Sequence, residues 1–375
     1  MKTGKVLSLS GGGTWSLIET KALMSLYPNM SGNQILDQFD IAIANSGGSI
    51  VLAGLAADMT PEEIYALYLD QSVINQLYTK TSGFESIFSS FGMAPRWSAA
   101  GKLATLQKIL KTVGAAPLDS IKAKIAICAY DLDRNIETVF RSYQTPLDLT
   151  STPFVPTLAE AAHASSSAPV IYFDGPAIVA NQKNKDDVRR FWDGGLGSYN
   201  LPARAGLAEA HALGFTTVQI LSLATGVVWR PIGTKIPLYA PPGNSSVLGA
   251  LKCLSQDCVV SPAISALMDT MVCPGTTLIH LSPYIRPDGG PGTWAAPKAM
   301  LDVLGTDAWT RLVSFDMDLT HADDIDLLSR FTDAWIAGII PNAPIIANPM
   351  TGSKQYGCET FAEGVALWKK SQCNT

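Results

Sequence analysis

Charge is scarce in this sequence. Asp, Glu, Lys and Arg make up 16% of its 375 residues and leave a formal net charge of −5, where soluble domains carry roughly a quarter of such residues. The pI is about 5.4 and no run of Lys or Arg stands out. A dedicated nucleic-acid binder is therefore excluded, and no nucleic-acid partner is expected. Histidine is scarcer still, with only His163, His211, His280 and His321. The six cysteines, Cys128, Cys253, Cys258, Cys273, Cys358 and Cys373, contain no C-x-x-C pair. With so few soft ligands at metal-binding spacing, no metal and no cofactor are expected. Long hydrophobic runs are missing too. The stretch 41–57 is broken by Asn45-Ser46-Gly47-Gly48-Ser49, whereas a membrane-spanning helix needs about 20 mostly apolar residues. No apolar centre of the length a secretory signal requires follows Met1-Lys2-Thr3-Gly4-Lys5. The expectation is no transmembrane segment, no signal peptide and a cytoplasmic location by default, with export left to a signal-independent route.

What the chain does have is apolar content, 47% of residues, enough for a sizeable core and too much for a disordered chain. From residue 5 to about 225, short β-rich runs alternate with helical patterns, which argues for an α/β layered sheet. Strands are expected at 5–9, 39–44, 124–130, 137–143, 190–192 and 217–223, and helices at 14–27, 49–57, 158–167, 203–213, 306–316 and 323–337. Thr60-Pro61-Glu62-Glu63 combines an N-cap, a first-turn proline and the Glu of a capping box. The charged stretch 183–190 reads as a solvated loop. Beyond Gly226 the texture changes: residues 230–297 are rich in Pro, Gly and Ser, and the rest looks helical. Cys128, inside Ile125-Ala126-Ile127-Cys128-Ala129, reads as a buried small hydrophobe, and Cys253 and Cys258 could pair in an oxidising compartment.

Three short motifs carry chemistry. In Asp40-Ile41-Ala42-Ile43-Ala44-Asn45-Ser46-Gly47-Gly48-Ser49, an apolar strand runs into a serine flanked by small residues, and a helix follows at once. That is the sequence form of a nucleophile elbow, whose strained turn tolerates only small neighbours. The alternative is a plain strand-turn-helix junction with a capping serine. Gly11-Gly12-Gly13 lies between the first strand and a helix, where backbone N–H groups can converge on an anion. A dinucleotide reading fails, because Ser16 stands at the last glycine position and no acidic residue ends the second strand. No histidine has a setting suited to a base for the serine. Asp193, entering Gly194-Gly195, fits better, since an aspartate within hydrogen-bond reach of a hydroxyl can take its proton.

Taken in order, these motifs resemble the patatin-like phospholipases. Gly11-Gly12-Gly13 looks like that family's oxyanion element, Ala44-Asn45-Ser46-Gly47-Gly48 like its nucleophile segment, and Asp193-Gly194-Gly195 like the segment carrying its aspartate. Ala164-Ser165-Ser166-Ser167-Ala168-Pro169, Asn200-Leu201-Pro202 and Leu221-Ser222-Leu223-Ala224-Thr225-Gly226 fall in the matching places. The sequence departs from the family at Thr14-Trp15, where a basic residue is common, and at Ser16 and Ala44, which replace glycines.

The resemblance implies a three-layer α/β/α sandwich with a mostly parallel central sheet and a C-terminal helical cap. A catalytic core would span 4–226, and 227–375 would complete the same domain. It also implies a metal-free lipid acyl hydrolase, with Ser46 as nucleophile, Asp193 as its base, and the N–H groups of Gly11, Gly12, Gly13 and Gly47 holding the oxyanion. The substrate would be a phospholipid or another acyl ester, met at a membrane or lipid interface. An acyltransferase using the same dyad and a catalytically silent lipid-binding or storage protein are the rival readings. The aromatic stretch 83–93 would be either an apolar rim touching lipid or ordinary core.

Overall fold

The computed structural model describes residues 2–81, 95–146, 153–169, 172–228, 263–285, 298–343, 345–346 and 355–373. The aromatic stretch 83–93 and the pair Cys253 and Cys258 lie outside them. The strands that matter are β1 (Thr3–Leu9), β2 (Ile41–Ala44), β3 (Ile125–Asp131), β4 (Ile136–Arg141), β5 (Ala177–Asn181), β6 (Asn184–Asp193), β7 (Thr217–Leu223), the short β8 (Val227–Val228) and β9 (Thr277–Leu281). All but β8 join one sheet in the order β5-β6-β3-β2-β1-β7-β9, with β4 beside β3. The run β3-β2-β1-β7-β9 is parallel, while β4, β5 and β6 add antiparallel pairs.

Alternation along the strands separates two apolar layers. Leu7, Leu9, Ala42, Ala44, Ile125 and Ile127 face one side. There they meet α1 (Leu17–Leu26), α3 (Ser46–Ala56) and α7 (Leu158–Ser165). Val6, Ile41, Ile43, Ala126 and Cys128 face the other. They are covered by α8 (Ala203–Ala212) and by α9 over residues 263–272. This period of two on both faces is what a sheet between helical layers requires, and it gives the expected α/β sandwich. The remaining helices of the site side are α2 (Gly32–Leu36), α4 (Pro61–Leu69), α5 (Gln71–Leu77) and α6 (Ala99–Gly114); α10 (Lys298–Leu304), α11 (Thr306–Ser314) and α12 (Ala322–Ile336) follow β9. The capping box of α4 forms as expected, with Thr60 N–H donating to Glu63 at 2.9 Å and Glu63 N–H donating to Thr60 Oγ1 at 3.2 Å.

One expectation is corrected, and one strand lies where none was placed. Residues 184–190 are not a solvated loop; they belong to β6, which forms a hairpin with β5. Their charges are met on the surface, Arg190 by Asp133 and Arg189 by Asp187, and charged residues are tolerated on strands near a sheet edge. The Pro/Gly/Ser-rich stretch 230–297 also contains a strand, because Thr277-Leu278-Ile279-His280-Leu281 pairs in parallel with β7 as β9.

The registers Leu9↔Ala44 and Leu9↔Leu223 bring the carboxyl ends of β1, β2 and β7 to one level. The segments that follow them therefore emerge side by side, at the edge where open α/β sheets bind ligands. Beneath this edge the carboxyl of Glu19, fully buried on α1, accepts the backbone N–H of Ser10, and its other oxygen has no partner among the described residues. Burial raises its pKa well above 4.5, the Ser10 hydrogen bond opposing. A group whose native pKa lies above its unfolded value stabilises the fold only below that unfolded value, and the benefit is lost as pH rises at up to about 1.4 kcal/mol per unit. Glu19→Gln keeps the shape of the neutral acid without its ionisation. It should raise stability at pH 7 by about 1–3 kcal/mol and leave it unchanged near pH 3.5, as read from urea denaturation at both values.

Candidate active site

β2 and α3 are separated by Asn45 alone, which is extended at φ −130 and ψ 151. Ser46 then takes φ 50, a left-handed conformation that costs a residue with a Cβ on the order of 1 kcal/mol or more. The turn leaves no room beside it. A Cβ on Gly47 would lie 2.3 Å from the Gly13 carbonyl oxygen, and one on Gly48 would lie 2.5 Å from that of Ser10. The helix consequently begins at Ser46 rather than at residue 49, and its first-turn N–H groups sit directly under the serine.

Asp193 reaches the same point from the far half of the sheet. One edge of β3 is filled by β4 along its length. The other is shared: β2 pairs with Ile125–Ile127, and β6 pairs with Ala129–Asp131 from the opposite direction. The two strands meet almost end to end, so Asp193 stands beside Asn45 and Ser46. The Asp193 carboxylate accepts from Asn45 Nδ2 at 3.1 Å and from the Gly195 N–H at 2.8 Å, and the Ser46 hydroxyl lies near enough to favour its ionised form. At 5% exposure its pKa is raised. Burial is the main cause, and the hydrogen bonds from Ser46, Gly195 and Asn45 and the charge of Lys102 oppose it. Among the described residues no histidine hydrogen-bonds Ser46: His211 Nδ1 lies 2.9 Å from the Phe215 carbonyl and His280 Nδ1 lies 3.1 Å from Ser222 Oγ.

The glycine loop is anchored at both ends. Gly11 N–H donates to the Asn200 carbonyl at 2.8 Å, and Thr14 N–H donates to the Met317 carbonyl at 2.8 Å. Between them the N–H groups of Gly12 and Gly13 have no partner among the described residues, and neither has that of Gly47. Gly13 and Gly47 line the cleft with Ser46, whereas the Gly11 N–H is committed elsewhere.

A family model described as patatin-like phospholipase matches residues 7–207, a span that contains both segments and the glycine loop. The chain belongs to the patatin-like phospholipase family. No curated protein matches it. Among solved structures, VipD from Legionella pneumophila is 12% identical with a TM-score of 0.33, over 88% of this chain and 67% of that one. A structure of full-length SpcU in complex with full-length ExoU, from the type III secretion system of Pseudomonas aeruginosa, is 16% identical with a TM-score of 0.26. That match covers 72% of this chain, which spans about half, 52%, of the other.

In this patatin-like chain Ser46 opens on a cleft of about 480 Å³, part of it continuous with solvent. Ile50, Leu77, Tyr78 and Phe173 give the cleft an apolar wall, suited to hydrocarbon. Three contributors to the site had no role assigned from the sequence, although Asn45 and Ser165 lie within the motifs read there. Asn45 positions the Asp193 carboxylate, and Ser165 Oγ accepts the Ser46 N–H at 2.9 Å. Lys102, from α6, lines the cleft beside Ser46. Farther out, the segment Asp316-Met317-Asp318 crosses the glycine loop, held by Arg96, whose Nη1 donates to both Asp318 carboxylate oxygens at 2.9 and 3.0 Å and whose Nη2 donates to Asp316 at 3.1 Å. Among the described residues no helix is long and apolar enough to cross a membrane, and no cluster of side chains could hold a metal ion.

Proposed function

We propose that the chain is a lipid acyl hydrolase that cleaves a phospholipid or another long-chain acyl ester through Ser46 and Asp193. The observation that carries this reading is the strained turn of Ser46 standing beside the buried Asp193 carboxylate, which the neighbouring Asn45 holds at the elbow. Ser46 Oγ attacks the ester carbonyl carbon while its proton passes to Asp193. The carbonyl oxygen becomes an oxyanion within reach of the unpartnered N–H groups of Gly13 and Gly47, with Gly12 next in line and Gly11 serving to fix the loop. Collapse of the tetrahedral species expels the alcohol, which takes the proton from Asp193. Water, deprotonated by the same carboxylate, then releases the fatty acid and restores Ser46. The apolar wall supports a long acyl chain, and access to it implies transient contact with a lipid interface.

The test is fatty-acid release from mixed phospholipid vesicles and from a chromogenic ester series, with no metal added, together with mass analysis of the quenched enzyme. The expected result is release accompanied by an acyl adduct on the peptide containing Ser46. An adduct passed preferentially to an added alcohol would indicate the acyltransferase. No release and no adduct on any ester would favour a silent lipid-binding protein.

A further inference from the structure

Lys102 has no place in the mechanism just given, yet its position is unusual for a lysine. It stands in the first turn of α6 and is 2% exposed. Its ammonium donates to Ser167 Oγ at 3.0 Å and lies 3.9 Å from the centre of the Phe173 ring. Ser167 ties it to the dyad: Ser167 Oγ donates to the His163 carbonyl at 2.7 Å, and the Ser167 carbonyl accepts the Asp193 N–H at 2.9 Å. Asp193 supplies the opposite charge that acts on this ammonium. A buried ammonium with one hydroxyl acceptor and an aromatic face is a poor way to stabilise a core, because desolvation outweighs what those contacts return. We propose that Lys102 is a positioning residue for the dyad: its positive charge, fixed by Ser167 and Phe173, keeps the Asp193 carboxylate ionised and ready to accept the Ser46 proton.

The step remains the one described above. The Oγ–C bond forms, the carbonyl π pair becomes the oxyanion, and the hydroxyl proton goes to Asp193, while Lys102 neither gains nor loses a proton. Burial raises the Asp193 pKa and the charge of Lys102 lowers it. Burial in turn lowers the Lys102 pKa to about 7, with Asp193 opposing, so the ammonium acts mainly on the acid side of neutrality. Other titratable groups face it too. His163, from α7, is kept neutral by burial and then by Lys102, its pKa lowered to about 2. Across the cleft, burial raises Tyr78, at the C-terminal cap of α5, to about 12 and moves Tyr172 upward. Asp318 is bound to Arg96. Among the groups that hold Asp193 ionised, Lys102 contributes its charge after the hydrogen bonds from Ser46, Gly195 and Asn45.

The proposal rests on the Ser46–Asp193 reading, and the experiment separates the two. kcat and KM for a short chromogenic ester are measured from pH 5 to 9 for the wild type, Lys102→Met, Lys102→Arg and Ser46→Ala. Lys102→Met is expected to be at least as stable as the wild type, with its acid limb moved up by about one pH unit or more. Its kcat should be about tenfold lower at pH 5.5 and close to wild type at pH 9, with KM little changed, and Lys102→Arg should recover most of the acid limb. An unchanged acid limb in Lys102→Met, with Ser46→Ala inactive, overturns the role of Lys102 and leaves the dyad standing. An active Ser46→Ala overturns the dyad itself. A second measurement does not depend on the methionine variant folding. In 13C-lysine NMR the Lys102 signal of Asp193→Asn should titrate at lower pH than in the wild type, because coupling between two charges is reciprocal. Identical titrations would overturn the proposal.

Discussion

Ser46→Ala is expected to reduce fatty-acid release by at least about 10³-fold, and Asp193→Asn by about 10²–10⁴-fold, at pH 7 on the same vesicles. The two losses should not add, since both variants stop the same event: a hydroxyl without a base stays a weak nucleophile, and a base without a hydroxyl has nothing to activate. Asp193→Asn is the more informative of the two. Its amide oxygen can still accept from Asn45 and Gly195, and its NH2 can donate to Ser46, so the hydrogen-bonded frame survives. Because burial raises the Asp193 pKa above its ordinary 3.8, the ionised native carboxylate costs stability at neutral pH, and that cost disappears as pH falls below the unfolded value. The asparagine variant should therefore unfold at a higher temperature than the wild type at pH 7 while being nearly inactive. Loss of activity with loss of stability would instead mean that the aspartate mainly holds the turn together.

Gly47→Ala should be almost as damaging, lowering kcat by about 10²–10³-fold. One methyl group placed 2.3 Å from the Gly13 carbonyl oxygen must push the glycine loop and the elbow apart. Both edges of that gap carry the unpartnered N–H groups assigned to the oxyanion, so the expected damage falls on the transition state rather than on substrate binding. A rise in KM at unchanged kcat would show that Gly47 shapes the cleft and does not serve the oxyanion. Trapping by a fluorophosphonate, which also builds charge on an oxygen, gives a second reading of the same loss.

Much of this fold could be read from the sequence where a signal was local. The strand Thr217–Leu223 was legible to the residue, since its alternation is bounded by Gly214 and by Ala224-Thr225-Gly226. The elbow was legible because strand, serine and small neighbours are contiguous. The β5–β6 hairpin was not, because the charged run 185–190 looks like a loop until Arg190 meets Asp133 and Arg189 meets Asp187. β9 was hidden for a related reason, a five-residue strand lying inside a stretch whose average composition is that of a loop. For the candidate site the missing information was distance along the chain. Nothing near Lys102 or Met317 in sequence says that one meets Ser167 or that the other's carbonyl receives Thr14, since such contacts arise only after two layers have packed.

The shared edge of β3 also bears on when the molecule becomes competent. Ser46 belongs to the unit of β1, β2 and α3, whose paired strands are close in sequence. Asp193 is delivered by an antiparallel hairpin, and the Asn45–Asp193 hydrogen bond joins positions 148 residues apart. Contacts of that span are slow to form, because chain-closure entropy must be lost before they contribute anything. A growing or partly refolded chain can thus hold a finished elbow with no base beside it. Its serine stays chemically quiet until the last part of the sheet docks, and a protein proposed to cut lipids is harmless for as long as it is incomplete.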